Sequence, residues 1–165
     1  MQIYLINNKS KEIKSISKIY IDSWKITYHN FVSDEYLESL NYHDAEKKWN
    51  EFLSNEKNFI FVAKQNSEIV GFVAGCMDDK NLEGELYALY VDPTLKNSGI
   101  GSKLLEIFFD YIKQNNMTKA IVWAMSKNKN AISYYKHKGA VEYAHRMNNF
   151  KGEIVEDTAL IWRHI

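Results

Sequence analysis

The chain has 165 residues, of which 45% are apolar and 14% aromatic, and this composition predicts one globular domain over residues 1–165. The 21 basic residues balance 21 acidic ones, so the sequence has no excess of positive charge that would predict nucleic acid binding. The longest apolar run, residues 69 to 77, is too short to cross a bilayer, and the first residues lack a signal-peptide pattern. We therefore expect a cytoplasmic protein with neither a nucleic acid nor a membrane partner.

Cysteine and histidine usage predicts neither a disulfide nor a metal site. Cys76 is the only cysteine, and it lies in an apolar strand pattern, so we expect a buried small side chain rather than a nucleophile. The five histidines are scattered without the spacing of metal ligands.

The first third of the chain predicts one strand and then helices. Residues 2 to 6 favour a short strand, and apolar residues at three- and four-residue steps predict a helix from about residue 9 to 28. A second helical region begins after Ser33, a residue type that suits a helix N-cap, and continues toward Leu53. A break is expected at residues 41 to 43.

The rest of the chain predicts a hairpin followed by alternating strands and helices. The predicted strands are residues 59–64, 68–77, 85–91, 119–125, 141–147 and 154–163, and the predicted helices begin near residues 100 and 130. This order is typical of an α+β fold with a mixed α/β sheet. We expect a mostly antiparallel sheet of about six to seven strands, flanked by about four helices.

The segment between the strand ending at Val91 and the helix beginning near Ile100 is the most informative. Gly99 and Gly101 open that helix, and backbone N–H groups in such a turn bind a pyrophosphate without a cationic side chain. The order Gly-Ser-Lys at residues 101–103 excludes a P-loop, and Leu104 stands where a dinucleotide fingerprint needs glycine. The alternative to a phosphate site is an ordinary strand-turn-helix connection, in which the two glycines only allow close packing.

Two motifs resemble those of the GNAT superfamily of N-acetyltransferases. Lys96, two spacers and Gly-x-Gly resemble its Arg/Gln-x-x-Gly-x-Gly/Ala loop, with Asn97 in place of a common glycine. Residues 128–140 resemble its Asn-x-x-Ala-x-x-x-Tyr-x-x-x-Gly-Phe segment, with Ala140 in place of the final Phe. The order of predicted elements is also that of the GNAT fold, and the resemblance implies binding of acetyl-coenzyme A.

The resemblance implies a set of coenzyme-binding residues. The loop that would hold the pyrophosphate comprises Lys96, Asn97, Ser98, Gly99, Ile100, Gly101 and Ser102. In the family the preceding strand carries a bulge and its main chain bonds the pantetheine arm, which implies a role for Leu89, Tyr90 and Val91. Asn128 would bond the pantetheine amides, and a helix cap is the alternative for this residue.

The resemblance also implies two catalytic residues. An amine with a pKa of about 10.4 must lose a proton before it attacks. Glu85 stands where family members carry a base that works through water. The alternative is that Glu85 is an ordinary glutamate at the end of a strand, and the nearby Glu83 weakens its assignment as the base. The departing thiolate needs a proton donor, for which Tyr135 is the candidate, and the resemblance implies that the same residue also contacts the coenzyme. Adjacent Tyr134 would point about 100° away and pack.

The acceptor site is predicted only loosely. In the related bacterial proteins the joint between the first two helices borders the acceptor cleft, which implies an aromatic wall of Trp24, Tyr28, Phe31 and Tyr36, with Asp34 or Glu35 attracting an amine. An amphipathic helix that packs its aromatic face on the sheet explains the same residues.

We therefore expect transfer of an acetyl group from acetyl-coenzyme A to a primary amine of a small molecule or peptide by direct attack, without a metal. The alternatives are another acyl group, a protein N-terminus as acceptor, a non-catalytic coenzyme A sensor and a nucleotide-binding regulatory module. The sequence leaves a homodimer open.

Overall fold

The computed structural model describes residues 1–95 and 98–165, which form one sheet with helices on both faces. The strands are β1 (Gln2–Ile6), β2 (Asn58–Gln65), β3 (Glu68–Asp78), β4 (Glu83–Val91), β5 (Lys119–Met125), β6 (Val141–Phe150) and β7 (Glu153–Trp162). The helices are α1 (Glu12–Thr27), α2 (Asp34–Ser39), α3 (Tyr42–Phe52), α4 (Ile100–Gln114) and α5 (Lys129–His137).

The sheet order is β1-β2-β3-β4-β5-β7-β6, and the pair of β4 with β5 is the parallel one. The expected mixed, mostly antiparallel α+β fold is therefore confirmed. The second helical region is two helices, because two side chains cap separate starts: Ser33 accepts from Tyr36 N–H, and Asn41 accepts from Asp44 N–H. None of the described helices is long and apolar enough to span a membrane.

The two faces of the sheet carry different helices. On one face, which we call the α4 face, α4 packs through fully buried side chains such as Leu104 and Phe108, and α5 packs through Ile132. On the other, the α1 face, α1 and α3 pack through Ile16 and Trp49. Close packing holds α4 against the sheet, since a Cβ at Gly84 would lie 2.6 Å from Ile112 Cδ1.

Strands β4 and β5 separate midway along their length. Their register runs from Glu83 opposite Lys119 to Leu86 opposite Val122 and stops there, although both strands continue. At the same point β4 carries a bulge: Leu86 lies opposite Gly75 and Ala88 opposite Ala74, so Tyr87 is the extra residue. A gap between the strands therefore opens beyond Leu86.

Candidate active site

A cleft of about 550 Å³ lies on the α4 face beside the gap. We call it the glycine cleft. Of the residues predicted to bind a coenzyme it brings together Leu89, Val91, Ser98, Gly99, Gly101, Ser102 and Tyr135. Three do not line it: Ile100 is buried in the core, Tyr90 faces the other side of the sheet, and Asn128 lies at the start of α5. Lys96 and Asn97 lie outside the described residues.

The start of α4 gives this cleft its chemistry. Gly99 is the N-cap residue with φ +75°, no side chain in residues 1–95 and 98–165 caps the helix, and its first turn holds no acidic residue. The first N–H groups of the helix and its positive dipole end therefore remain for an anion. A Cβ at Gly99 would meet no atom of the described residues within 4 Å, and the left-handed backbone at this position favours glycine.

Two adjacent tyrosines line the glycine cleft from α5. Burial raises the pKa of Tyr135, and nearby Tyr28 and Tyr134 add to the rise, so its hydroxyl stays protonated and can donate a proton. The hydroxyl of Tyr134 is buried without a hydrogen-bond partner in the described part of the chain. The prediction that Tyr134 points away from this site was wrong, because both tyrosines line the cleft.

Asn128 has the role of a helix cap in this structure. Its side-chain oxygen accepts a hydrogen bond of 3.2 Å from the Ala131 N–H and so starts α5. Burial raises the pKa of Tyr28, and hydrogen bonding with Asn128 and Tyr90 partly opposes the rise. Asn128 therefore lies between the helix that carries Tyr135 and the aromatic residues of the α1 face.

A second cavity, of about 310 Å³, lies on the α1 face beside the same gap. We call it the aromatic cavity. Its aromatic walls come from three helices and three strands, namely Tyr20, Trp24, Tyr28, Tyr36, Trp49, Tyr87, Tyr90, Trp123 and Phe150. Trp24 contacts two other wall residues: its ring is 4.3 Å from that of Tyr28, and its indole N–H donates to the Tyr90 hydroxyl at 3.0 Å.

The predicted acceptor residues divide between the cavity wall and the surface. Trp24, Tyr28 and Tyr36 line the cavity. Phe31 packs its ring 5.8 Å from that of Tyr28 without lining the cavity. The exposed residues Asp34 and Glu35, in the first turn of α2, do not line it either.

Three charged side chains line the aromatic cavity, and sequence reasoning missed all of them. Arg146 lies 4.2 Å above the Trp123 ring, and its Nε donates to Asp157 at 3.2 Å. Asn148 donates to the same buried carboxylate. Lys48 reaches the cavity from α3. No motif relates these positions, because strand order and helix packing alone bring them together.

Glu85 lies on β4 just before the bulge. Its neighbours Gly84 and Leu86 pack toward α4, so alternation turns Glu85 to the α1 face. Burial raises its pKa, the positive charge of Arg146 opposes the rise, and Glu83 adds to it. Glu85 does not line the aromatic cavity, and any contact with a ligand there would need water between them.

Two other features near Glu85 bear on the chemistry. Glu83 forms an ion pair with Lys119 at 3.6 Å between Oε2 and Nζ, so its carboxylate already has a partner. Cys76 is opposite Glu85 on β3, and burial raises the pKa of its thiol to about 12. The thiol is therefore neutral and a poor nucleophile. The described residues hold no group of three potential metal ligands.

Comparison with known proteins identifies the family. The model of the Acetyltransferase (GNAT) family matches residues 15–140. An uncharacterized N-acetyltransferase of Bacillus subtilis, YuaI, is 33% identical over 130 residues, which cover 76% of this chain and 73% of that protein. The spermidine N(1)-acetyltransferase of Thermoplasma acidophilum is 25% identical over 144 residues, 84% of this chain and 88% of that protein.

The fold agrees with this assignment. The crystal structure of PaiA N-acetyltransferase from Thermoplasma acidophilum in complex with coenzyme A superposes with a TM-score of 0.77 at 20% identity, covering 99% of this chain and all of that one. Because the family model spans most of the sequence, the chain belongs to the GNAT family of acetyltransferases.

Proposed function

We propose that the protein transfers an acetyl group from acetyl-coenzyme A to a primary amine of a small molecule or peptide, by direct attack of the bound amine. One observation carries the proposal: two cavities of different chemistry lie on opposite faces of the sheet, and both border the gap where β4 and β5 separate. In this proposal, a ligand in one cavity meets a ligand in the other through the gap.

The glycine cleft suits the coenzyme. The uncapped start of α4 matches a pyrophosphate, and β4 beyond Leu86 has main-chain groups free of β5 that can bond a pantetheine arm. When bound, acetyl-coenzyme A supplies an activated acetyl thioester. Such a compound belongs to the cell interior, and we place the protein in the cytoplasm.

Glu85 is the base in this proposal. An amine with a pKa of about 10.4 costs about 4.6 kcal/mol to deprotonate at pH 7, and a carboxylate on the α1 face beside the gap lowers that cost. Its raised pKa makes it a better proton acceptor than a free glutamate. Because it stands back from the cavity wall, Glu85 takes the proton through water.

Two further groups complete the proposed chemistry. Backbone N–H groups of β4 after the bulge, between Leu89 and Val91, stabilise the negative charge that develops on the carbonyl oxygen. Tyr135, protonated and facing the glycine cleft, donates its proton to the departing thiolate. Neither role needs a covalent bond to the protein.

An acetylation assay over a panel of amines tests the proposal. Release of free thiol that depends on the amine, with an acetylated product identified by mass, is the expected result. Thermal stabilisation by coenzyme A without thiol release for any amine or peptide would support the sensor instead. Faster reaction with a longer acyl-coenzyme A, or with peptides bearing a free N-terminus only, would redefine the donor or the acceptor.

A further inference from the structure

Lys48 is a half-buried cation in the wall of the aromatic cavity. Its Nζ lies 4.3 Å from the centroid of the Tyr20 ring, 4.9 Å from that of Trp49 and 5.5 Å from that of Tyr87. The same atom donates a hydrogen bond of 2.9 Å to the Tyr20 hydroxyl. The ammonium group is thus enclosed by aromatic rings at a position that faces a cavity.

No carboxylate in residues 1–95 and 98–165 lies within ion-pair distance of Lys48 Nζ. The single acid that lines the cavity, Asp157, is engaged by Arg146 and Asn148. Burial lowers the pKa of Lys48 to about 8, because the aromatic rings replace its hydration only in part. An anion at this position would restore the lost stabilisation.

A second donor in the same wall has no partner. The indole nitrogen of Trp49, the residue next to Lys48, is buried and makes no hydrogen bond to the described residues. A buried donor without a partner costs about 1–3 kcal/mol. Lys48 and Trp49, adjacent residues of α3 that line the aromatic cavity, therefore both carry hydrogen-bond donors that suit a ligand with acceptor atoms.

We propose that Lys48 binds an anionic group of the acceptor, so that the substrate is an amine carrying a carboxylate or phosphate at a distance from its amino group. This inference rests on the proposed acetyl transfer. The amino group would lie toward the gap, beside Ala88 and Tyr90 of β4, and the anionic group would lie at α3.

The charges of the cavity disfavour a polyamine as acceptor. Lys48 occupies the aromatic enclosure that would hold a second ammonium group, and Arg146 neutralises Asp157. With two cations and one carboxylate in the wall, a second ammonium on the acceptor would be repelled. The similarity to a spermidine N(1)-acetyltransferase therefore does not extend to the acceptor in this proposal.

The test compares three acceptors at each of several chain lengths: an ω-aminocarboxylate, the matching alkylamine and the matching diamine, with aminoalkyl phosphates to separate carboxylate from phosphate. For wild type we expect kcat/KM for one anionic class to exceed that for the alkylamine, with the diamine poorest. Lys48→Met keeps the chain length without the charge. It should raise KM for the anionic acceptor about ten- to a hundredfold and leave the alkylamine within about twofold.

Two matched variants guard against a general loss of folding. Lys47→Met removes a neighbouring cation of α3 that is exposed and lies 4.0 Å from Glu51, and it should leave every acceptor unchanged. Lys48→Arg keeps the charge and should retain the preference for the anionic acceptor. Equal kcat/KM for anionic and neutral amines in wild type, or equal losses for both in Lys48→Met, would overturn the role of Lys48.

A binding measurement separates this inference from the proposed function. Calorimetry can measure binding of the N-acetylated ω-aminocarboxylate, which is the expected product, and of the matching compound whose carboxylate is replaced by a neutral amide. This measurement needs no catalysis. If no amine is acetylated but wild type binds the carboxylate and Lys48→Met does not, the anion site stands and acetyl transfer fails. If amines are acetylated but neither protein distinguishes carboxylate from amide, transfer stands and the anion site fails.

Discussion

The glycine cleft and the aromatic cavity lie on opposite sides of the same gap and are built in opposite ways. Much of the cleft comes from one run of sequence around the start of α4, where small residues and backbone N–H groups are proposed to bind the coenzyme. The cavity is assembled from side chains of three helices and four strands. A site for a constant reagent can be encoded locally, whereas a site for a variable acceptor depends on tertiary packing.

Replacing Tyr135 should produce the largest effect on the chemistry of the cleft. Tyr135→Phe removes the proposed proton donor, so kcat should fall about ten- to a thousandfold while coenzyme affinity changes less than about fivefold. Tyr134→Phe is a demanding control, because its hydroxyl is buried in the same cleft without a partner among the described residues. Equal losses of kcat in the two variants would mean that Tyr135 only packs.

A substitution at Gly99 tests whether the backbone at the start of α4 binds acetyl-coenzyme A. Gly99→Val strains a residue at φ +75° and covers the start of α4, so acetyl-coenzyme A should no longer raise the melting temperature. For wild type, ligand at one hundred times its Kd adds about 2.7 kcal/mol to the free energy of unfolding.

Gly152 provides the matched control for that experiment. It also has a positive φ, of +90°, and a Cβ there would meet no atom of residues 1–95 and 98–165 within 4 Å, but it lies in the β6–β7 turn. Gly152→Val should lower stability by backbone strain and keep the full shift with acetyl-coenzyme A. A shift that survives in Gly99→Val would exclude this loop as the coenzyme site.

The pH dependence of the activity of Glu85→Gln tests whether Glu85 is the base that accepts the proton of the amine. Burial raises the pKa of Glu85, so its base form is lost as pH falls through that value, and wild-type activity should fall with it. The variant should be about ten- to a hundredfold slower near pH 7 and approach wild type as alkali deprotonates the amine itself. A wild-type to variant rate ratio that stays flat with pH would rule out Glu85 as the base.

The smallest expected effect comes from Gly101→Ala. The added Cβ would lie 3.7 Å from Val91 Cγ2, an ordinary contact, and the position is helical. The variant should gain about 0.5–1 kcal/mol of stability, since glycine costs conformational entropy in a helix. Acetyl-coenzyme A should still bind, and complete loss of binding would show that side-chain space at Gly101 matters more than the backbone.

Local sequence signals predicted much of the fold. Strand β5 runs over the expected residues 119–125, because it is a short apolar run with clear limits. Ser33 begins α2 as expected, since N-cap chemistry is local. The bulge at Tyr87 has no signal of its own in the residues around it, and only the family resemblance suggested that this strand is irregular.

The acceptor side could not be predicted in the same way. Lys48, Arg146 and Asp157 come from α3, β6 and β7, and they meet because β7 lies between β5 and β6 while α3 packs on the α1 face. In the sequence each is one charged residue among many. Asp34 and Glu35, which follow aromatic residues in the chain, were better candidates by proximity, yet the turn into α2 leaves them exposed.

The central claim is that the two cavities hold both substrates at once and that the acetyl group crosses the gap between them. Initial rates measured while acetyl-coenzyme A and the amine are both varied test this claim most directly. We predict double-reciprocal lines that intersect, because a complex of all three components must form. Parallel lines, with an acetylated protein isolated before the amine is added, would contradict direct transfer across the gap.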